Sequence, residues 1–149
     1  MFNYLKTENH KRIKSCCFIG ESKLDNEQQN TLNFFLDILI NINVYNFLFF
    51  SNSLFEQDCY NTVDTFSKQS LNIRKIGFIF NNTKTRKLFN EIYYQCKDNG
   101  KILKLEQCTN IINQCDFCFI SKCDLVNKNN VFYKVYLYTQ IKNVKVIII

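Results

Sequence analysis

Thirteen acidic side chains, eight cysteines and a single histidine are the main groups with which this 149-residue chain could do chemistry. His10 lies in a basic N-terminal stretch, so a Ser–His or Cys–His nucleophilic pair is not expected. Cys108, Cys115, Cys118 and Cys123 offer one CxxC followed by a four-residue gap. A structural zinc site normally draws on two close pairs set on polar turns. Here Cys115-Asp116-Phe117-Cys118-Phe119-Ile120 reads instead as entry into an apolar strand, where cysteine behaves as a small hydrophobe. A redox CxxC opens a helix after a strand, which this one does not. No metal and no cofactor are therefore expected. Met1–Lys14 carries no apolar stretch of signal-peptide length, so reduced thiols and a cytoplasmic location are the expectation.

Charge and composition exclude further classes. The formal charge is +6, but the 19 basic residues are scattered, and the densest group, Lys6 to Lys14, belongs to the N-terminal tail. A nucleic-acid surface gathers its basic residues on one face, so nucleic acid is not an expected partner. The longest apolar runs, Phe47–Phe50 and Val146–Ile149, fall far short of the ~20 residues of a membrane helix. With 46% hydrophobic residues, 15 Phe, no Pro and three Gly, the chain reads as globular, with no collagen-like or Pro-rich segment.

The elements that must position any site alternate in type. Short apolar runs at Ile13–Ile19, Phe47–Phe50, Ile73–Phe80, Phe117–Ile120 and Val144–Ile149 read as buried strands. Asp25 with Gln28, and Ser53 with Glu56, are capping-box signatures that open helices after the first two. Helices are also expected from about Thr85 to Lys97, from Cys108 to Cys115, and through Val131, Val135 and Tyr138 to Asn143. Lys101–Leu105 reads as a short extra strand. The pattern predicts an α/β three-layer sandwich, a mostly parallel five-stranded sheet flanked by helices, with residues 14–149 as one domain behind a basic tail, 1–13. Ligands of such sheets bind beyond the carboxyl ends of the strands, where strand order reverses.

Lys14-Ser15-Cys16-Cys17-Phe18-Ile19-Gly20-Glu21-Ser22 resembles the opening of the SLOG superfamily of Rossmann-like nucleotide-binding proteins. It is most similar to the small bacterial YpsA-like branch, whose first strand reads CCFTGHR or FFGHR. Phe49 to Asp58 stands where that group has its Gly-rich turn and Asp, and Ile112-Asn113-Gln114-Cys115-Asp116-Phe117 resembles the second half of its Asn-x-x-Met-Ile-x-x-Ser-Asp pattern. The resemblance runs from about residue 14 to the C-terminus. The chain departs from the family at the motifs. Glu21-Ser22 replaces His-Arg, Ser51, Ser53 and Leu54 replace the glycines of the second loop, and the family's Arg before the fourth strand falls near Gln107-Cys108. Gly lets a backbone approach phosphate and Arg grips it in bidentate fashion, so the usual phosphate grip is not expected.

What the resemblance implies is a bacterial or phage protein that binds a nucleotide or a nucleotide-derived, ADP-ribose-type ligand without catalysis, as a sensor or sponge. The candidate ligand-binding residues are Gly20, Glu21, Ser22, Ser51, Asn52, Ser53, Asp58 and Asp116. The helix N-terminus at Ser53 would attract an anion in any case. An alternative, implied by related SLOG branches, is an N-glycoside-cleaving hydrolase or transferase, with Glu21, Glu56 or Asp58 as the carboxylate facing the ribosyl carbon. A third is a degenerate protein-interaction module, such as a homodimer through an exposed helix face. Each polar position also has a local explanation: Ser53 and Glu56 as a helix cap, Asp58 as a favoured acid in a first turn, Asp116 as a partner for local backbone N–H groups.

Overall fold

The computed structural model describes residues 13–80, 88–95 and 104–149. Six strands form one sheet: β1 (Lys14–Ile19), β2 (Val44–Phe49), β3 (Arg74–Phe80), β4 (Glu91–Gln95), β5 (Phe117–Ile120) and β6 (Lys145–Ile148). Their order is β4-β3-β2-β1-β5-β6, and all five pairings are parallel. Among the described residues four helices connect them: α1 (Asn26–Asn41), α2 (Leu54–Ser67), α3 (Lys104–Ile112) and α4 (Val131–Ile141), with a 3-10 turn at Lys122–Leu125. The chain moves one way from β1 to β4 and the other way from β5 to β6. Crossovers of constant hand therefore put α1 and α2 on one face, and α3 and α4 on the other.

Side-chain alternation divides the composition between the two faces. Cys16, Phe18, Phe47, Phe49, Phe117 and Phe119 meet α1 and α2, while Cys17, Ile19, Leu48, Cys118 and Ile120 meet α3 and α4. Phe18 stacks on Phe49 and Phe119 with ring centroids 5.2 and 5.4 Å away, so the first face is an aromatic ladder across β2, β1 and β5. The second face is built of aliphatics and thiols. Cys17 and Cys118 are register partners on adjacent strands, and hydrogen bonds from Cys115 and Cys118 lower the Cys17 thiol relative to its two neighbours. Burial pushes those two donors the other way. The seven described cysteines are free, and only Cys123 is exposed. A thiol reagent added to the native protein is expected to modify Cys123 well before Cys16, Cys17, Cys59, Cys108, Cys115 or Cys118, which react only on unfolding. Peptide mass spectrometry after timed alkylation checks this; early labelling of Cys17 would contradict the buried cluster.

The local signals explain most boundaries. Asp25 and Gln28 form a complete capping box: Gln28 N–H donates to Asp25 Oδ1 at 2.7 Å, and Asp25 N–H to Gln28 Oε1 at 3.1 Å. Asn43 and Asn143 adopt positive φ, 69° and 56°, just past the ends of α1 and α4. That left-handed position usually goes to glycine, and asparagine is the residue that best replaces it. A chain with three glycines thus still ends its helices in the normal way.

Two expectations need correction. The sheet has six strands rather than five, because Glu91–Gln95, expected within a helix, is an edge strand paired with β3. Leu88, Ile92 and Phe89, Tyr93 share a helical spacing, but the run Ile92-Tyr93-Tyr94 favours a pleated surface, and pairing with β3 decides between the two. Tyr60 of α2 ties down the approach to this strand, accepting from Leu88 N–H and donating to Leu88 O. Lys104 and Leu105, expected at the end of a strand, begin α3. Leu88–Asn90 of the expected helix are irregular, and the tail at 1–12, residues 85–87 and 96–97 of that helix and residues 101–103 lie outside the described residues.

Candidate functional site

Strand order reverses between β1 and β5, and the residues just beyond their ends lock together. Glu21 N–H donates to Asp124 Oδ2 at 2.9 Å, and Phe55 N–H donates to Glu21 O at 3.3 Å. A Cβ on Gly20 would lie 2.7 Å from the Phe55 ring and 3.0 Å from Ser121 Cβ. Glycine is required here because the first turn of α2 and the end of β5 close on the backbone. Phe55 is fully buried and cannot swing aside, so Gly20→Ala is expected to destabilise by about 2 kcal/mol through overpacking. A urea midpoint unchanged from wild type would show that the ring relocates freely.

Beside this closure, at the carboxyl ends of β1 and β2, is a cleft of about 330 Å³. Gly20, Glu21, Ser51, Asn52 and Ser53 line it together with Phe50, Lys104, Gln107, Cys108 and Phe132. The two expected loops therefore meet at one site. Ser22 is exposed and outside the lining. Asp58 is elsewhere too: its Oδ2 accepts from Leu24 N–H at 3.0 Å, beside a separate polar groove between α1 and α2. Asp116 is a correction to the expected site at the carboxyl edge. It precedes β5 at the amino end of the sheet, where its Oδ2 accepts from Ser15 N–H at 3.0 Å.

The second loop holds an anion of its own. Ser53 caps α2, its Oγ accepting from Glu56 N–H at 3.1 Å. The reciprocal half of the expected capping box is absent, because the Glu56 side chain turns to the end of β2 instead. Its carboxylate accepts from Phe50 N–H at 3.1 Å, from Ser51 N–H at 2.9 Å and from Ser51 Oγ at 3.1 Å, with the residue only 1% exposed. Those N–H groups are the ones a phosphate would seek at such a strand end.

Lys104, at the start of α3, forms an ion pair with Glu21 and stands 4.9 Å from the centroid of the Phe132 ring. Gln107 Nε2 donates to Phe50 O at 3.1 Å and so fastens α3 to β2. Lys104, Gln107 and Phe132 were not among the expected site residues. The stripe through Cys108, Ile111 and Ile112 extends back one turn to Lys104, which is the sequence signal that could have found it. Cys108 faces the cleft with its thiol pushed up to about 12, burial being the main cause, so it is no thiolate nucleophile near neutral pH.

Burial also raises the Asp124 carboxyl, against the opposing pull of Lys104. For an acid whose native value is raised, the unfolded chain ionises first. This stabilisation is full below the ordinary 3.8 and is lost as pH climbs through the raised native value. Asp124→Asn keeps an oxygen for Glu21 N–H, so the variant is expected to lose that slope and to match or slightly exceed wild-type stability at neutral pH. Urea midpoints measured across the acid range for both proteins test this; parallel curves would contradict it.

No protein-family model matches the chain, and no curated protein is detectably similar to it. Among the described residues no group of three or more His, Cys, Asp or Glu side chains is arranged to hold a metal ion, and no helix is long and apolar enough to cross a membrane.

Proposed function

We propose that the chain is a non-catalytic binder of a nucleotide or nucleotide-derived ligand, a sensor or sponge of the SLOG kind, acting at the cleft beside Gly20. The supporting observation is convergence: the two loops that carry the SLOG resemblance, Gly20–Glu21 and Ser51–Ser53, line one cleft at the carboxyl edge of a parallel sheet. A hydrolase reading has less support, since its candidate carboxylates do not converge. Glu21 pairs with Lys104, Glu56 is taken up by β2, and Asp58 serves Leu24. Mass spectrometry of the supernatant from denatured, freshly purified protein, followed by thermal-shift assays with a nucleotide panel, tests binding. A site that comes away empty and ignores the panel ends this reading.

A homodimeric interaction module is the second reading, favoured by one surface. Phe34 and Ile38 of α1 and Ile42 at its C-cap are 55%, 42% and 42% exposed in a single stripe. Gln29 and Asn33, about half a turn round the helix, lie at the groove shared with α2, so the stripe is on the flank away from α2. Light scattering of Ile38→Asp against wild type distinguishes a dimer from a monomer.

A further inference from the structure

We infer that β6 is the centre of a two-fold interface, at which a second copy of the chain adds its own β6, antiparallel, to the sheet. This rests on the homodimer reading above and gives it a geometry. Among the described residues β6 pairs with β5 alone, so its other side is an open edge. Lys145 N–H donates to Asp116 O, Ile149 N–H donates to Ile120 O, and Ile149 O accepts from Lys122 N–H. Residues 145, 147 and 149 therefore turn their backbone groups toward β5, and alternation turns those of Val146 and Ile148 outward. Such an edge is a template for another strand. Lys145, the residue that could guard it, stands 5.8 Å from the centroid of the Phe117 ring on the α1 face instead.

The outward groups are symmetric about Ile147. A two-fold axis through that residue, perpendicular to the sheet, pairs Val146 of each copy with Ile148 of the other. Each pair exchanges both of its N–H to O bonds. An axis along the strand would require a parallel pair, whose two strands bond in unlike ways and so are not equivalent. The antiparallel pair keeps like faces together: Ile147 meets its copy on the α1 face, and Val146 meets Ile148 on the α4 face. Both helices abut this strand, since Gln28 Nε2 of α1 donates to Ile149 O at 3.2 Å and α4 packs on β6. Tyr138 of α4 donates to Asn113 Oδ1 just past α3, which leaves Leu137 turned away from α3. Phe34, Ile38, Ile42, Leu137 and Ile148 are 42% to 55% exposed, leaving roughly 500 Å² of apolar surface around the edge. A stable interface takes about 800 Å² from each partner, somewhat over half of it apolar, so the patch has the size a second copy needs.

Light scattering of the full chain at high micromolar concentration is expected to give twice the monomer mass. Val146→Pro removes an outward N–H and leaves the β5 ladder intact, so it should fold normally by circular dichroism and scatter as a monomer. Cross-linking gives an independent readout. Cys123, the exposed thiol among the described cysteines, is first changed to Ser. In that background Ile147→Cys places two thiols across the axis with Cα atoms about 4.5 Å apart, within disulfide reach under oxidised glutathione. It is expected to form a covalent dimer, whereas Leu71→Cys, at a position 99% exposed before β3, is not. A dimer that survives in folded Val146→Pro, or a dimeric Ile147→Cys that does not cross-link, overturns the β6 geometry and leaves the homodimer reading in place. Should the proline variant not fold, the cross-link alone decides. A wild-type monomer means that something other than a second copy meets the edge, and it sinks both readings.

Discussion

Phe18→Ala is expected to cost about 4 kcal/mol, the largest loss from any single truncation considered for this chain. Phe18 is 1% exposed on the central strand and stacks on three rings, Phe47, Phe49 and Phe119. Removing it deletes the transfer free energy of a phenyl ring and leaves a cavity in the middle of the ladder. The neighbours cannot collapse into it easily, because Phe49 also packs edge-on against Tyr60 and Phe119 is held by the pairing of β1 with β5. Urea unfolding followed by tyrosine fluorescence or circular dichroism gives the number. A loss below about 2 kcal/mol would mean that the ladder relaxes as a unit.

Glu56→Ala is expected to cost about 3 kcal/mol, for a different reason. The substitution removes a side chain that is 1% exposed and strips the Glu56 acceptor from two backbone N–H groups at the end of β2, that of buried Phe50 and that of half-buried Ser51. Unsatisfied buried donors each cost about 1–3 kcal/mol, more than the net worth of the bonds themselves. Glu56→Gln keeps one acceptor oxygen and should lose roughly 1 kcal/mol. Hydrogen exchange at the Phe50 and Ser51 amides, slow in wild type, should accelerate in the alanine variant before the rest of β2. If these amides stay protected, water or another group satisfies them and Glu56 is not their anchor.

The strands were legible because burial on both faces leaves continuous apolar runs that only a covered parallel sheet explains, as at Phe117–Ile120. Asp25 with Gln28 was equally legible, since a capping box is a purely local exchange of hydrogen bonds. The β4 segment was not. Its spacing fits a helix as well as a strand, and the deciding interactions, the pairing with β3 and the hold of Tyr60 on Leu88, come from residues far away in the chain.

The site shows the same division. Gly20, Ser51 and Ser53 could be nominated from sequence because strand ends in this fold class point to one edge of the sheet. Asp116 was nominated by the resemblance alone; it precedes β5, and in a parallel sheet that places it at the opposite, amino edge. Glu56 is the sharpest case. Ser53-Leu54-Phe55-Glu56 carries the local signal of a reciprocal cap, and the Ser53 half of it forms. Its other half does not, because the Phe50 and Ser51 N–H groups at the end of β2 lie within reach of the same carboxylate and take it, and a buried donor is costlier to leave unmet than an exposed one at a helix start.

By itself, then, the sequence determined the alternation of strands and helices, the doubly covered parallel sheet and the two loops that meet at its carboxyl edge. Those follow from periodicity and capping, which act over a few residues. The tertiary structure alone decided that Lys104 completes the cleft, that Phe55 fills the space over Gly20, and that the anion held by the β2 loop is the protein's own carboxylate. Each of these depends on which distant segments are brought together, and contacts over such separations leave no local pattern to read.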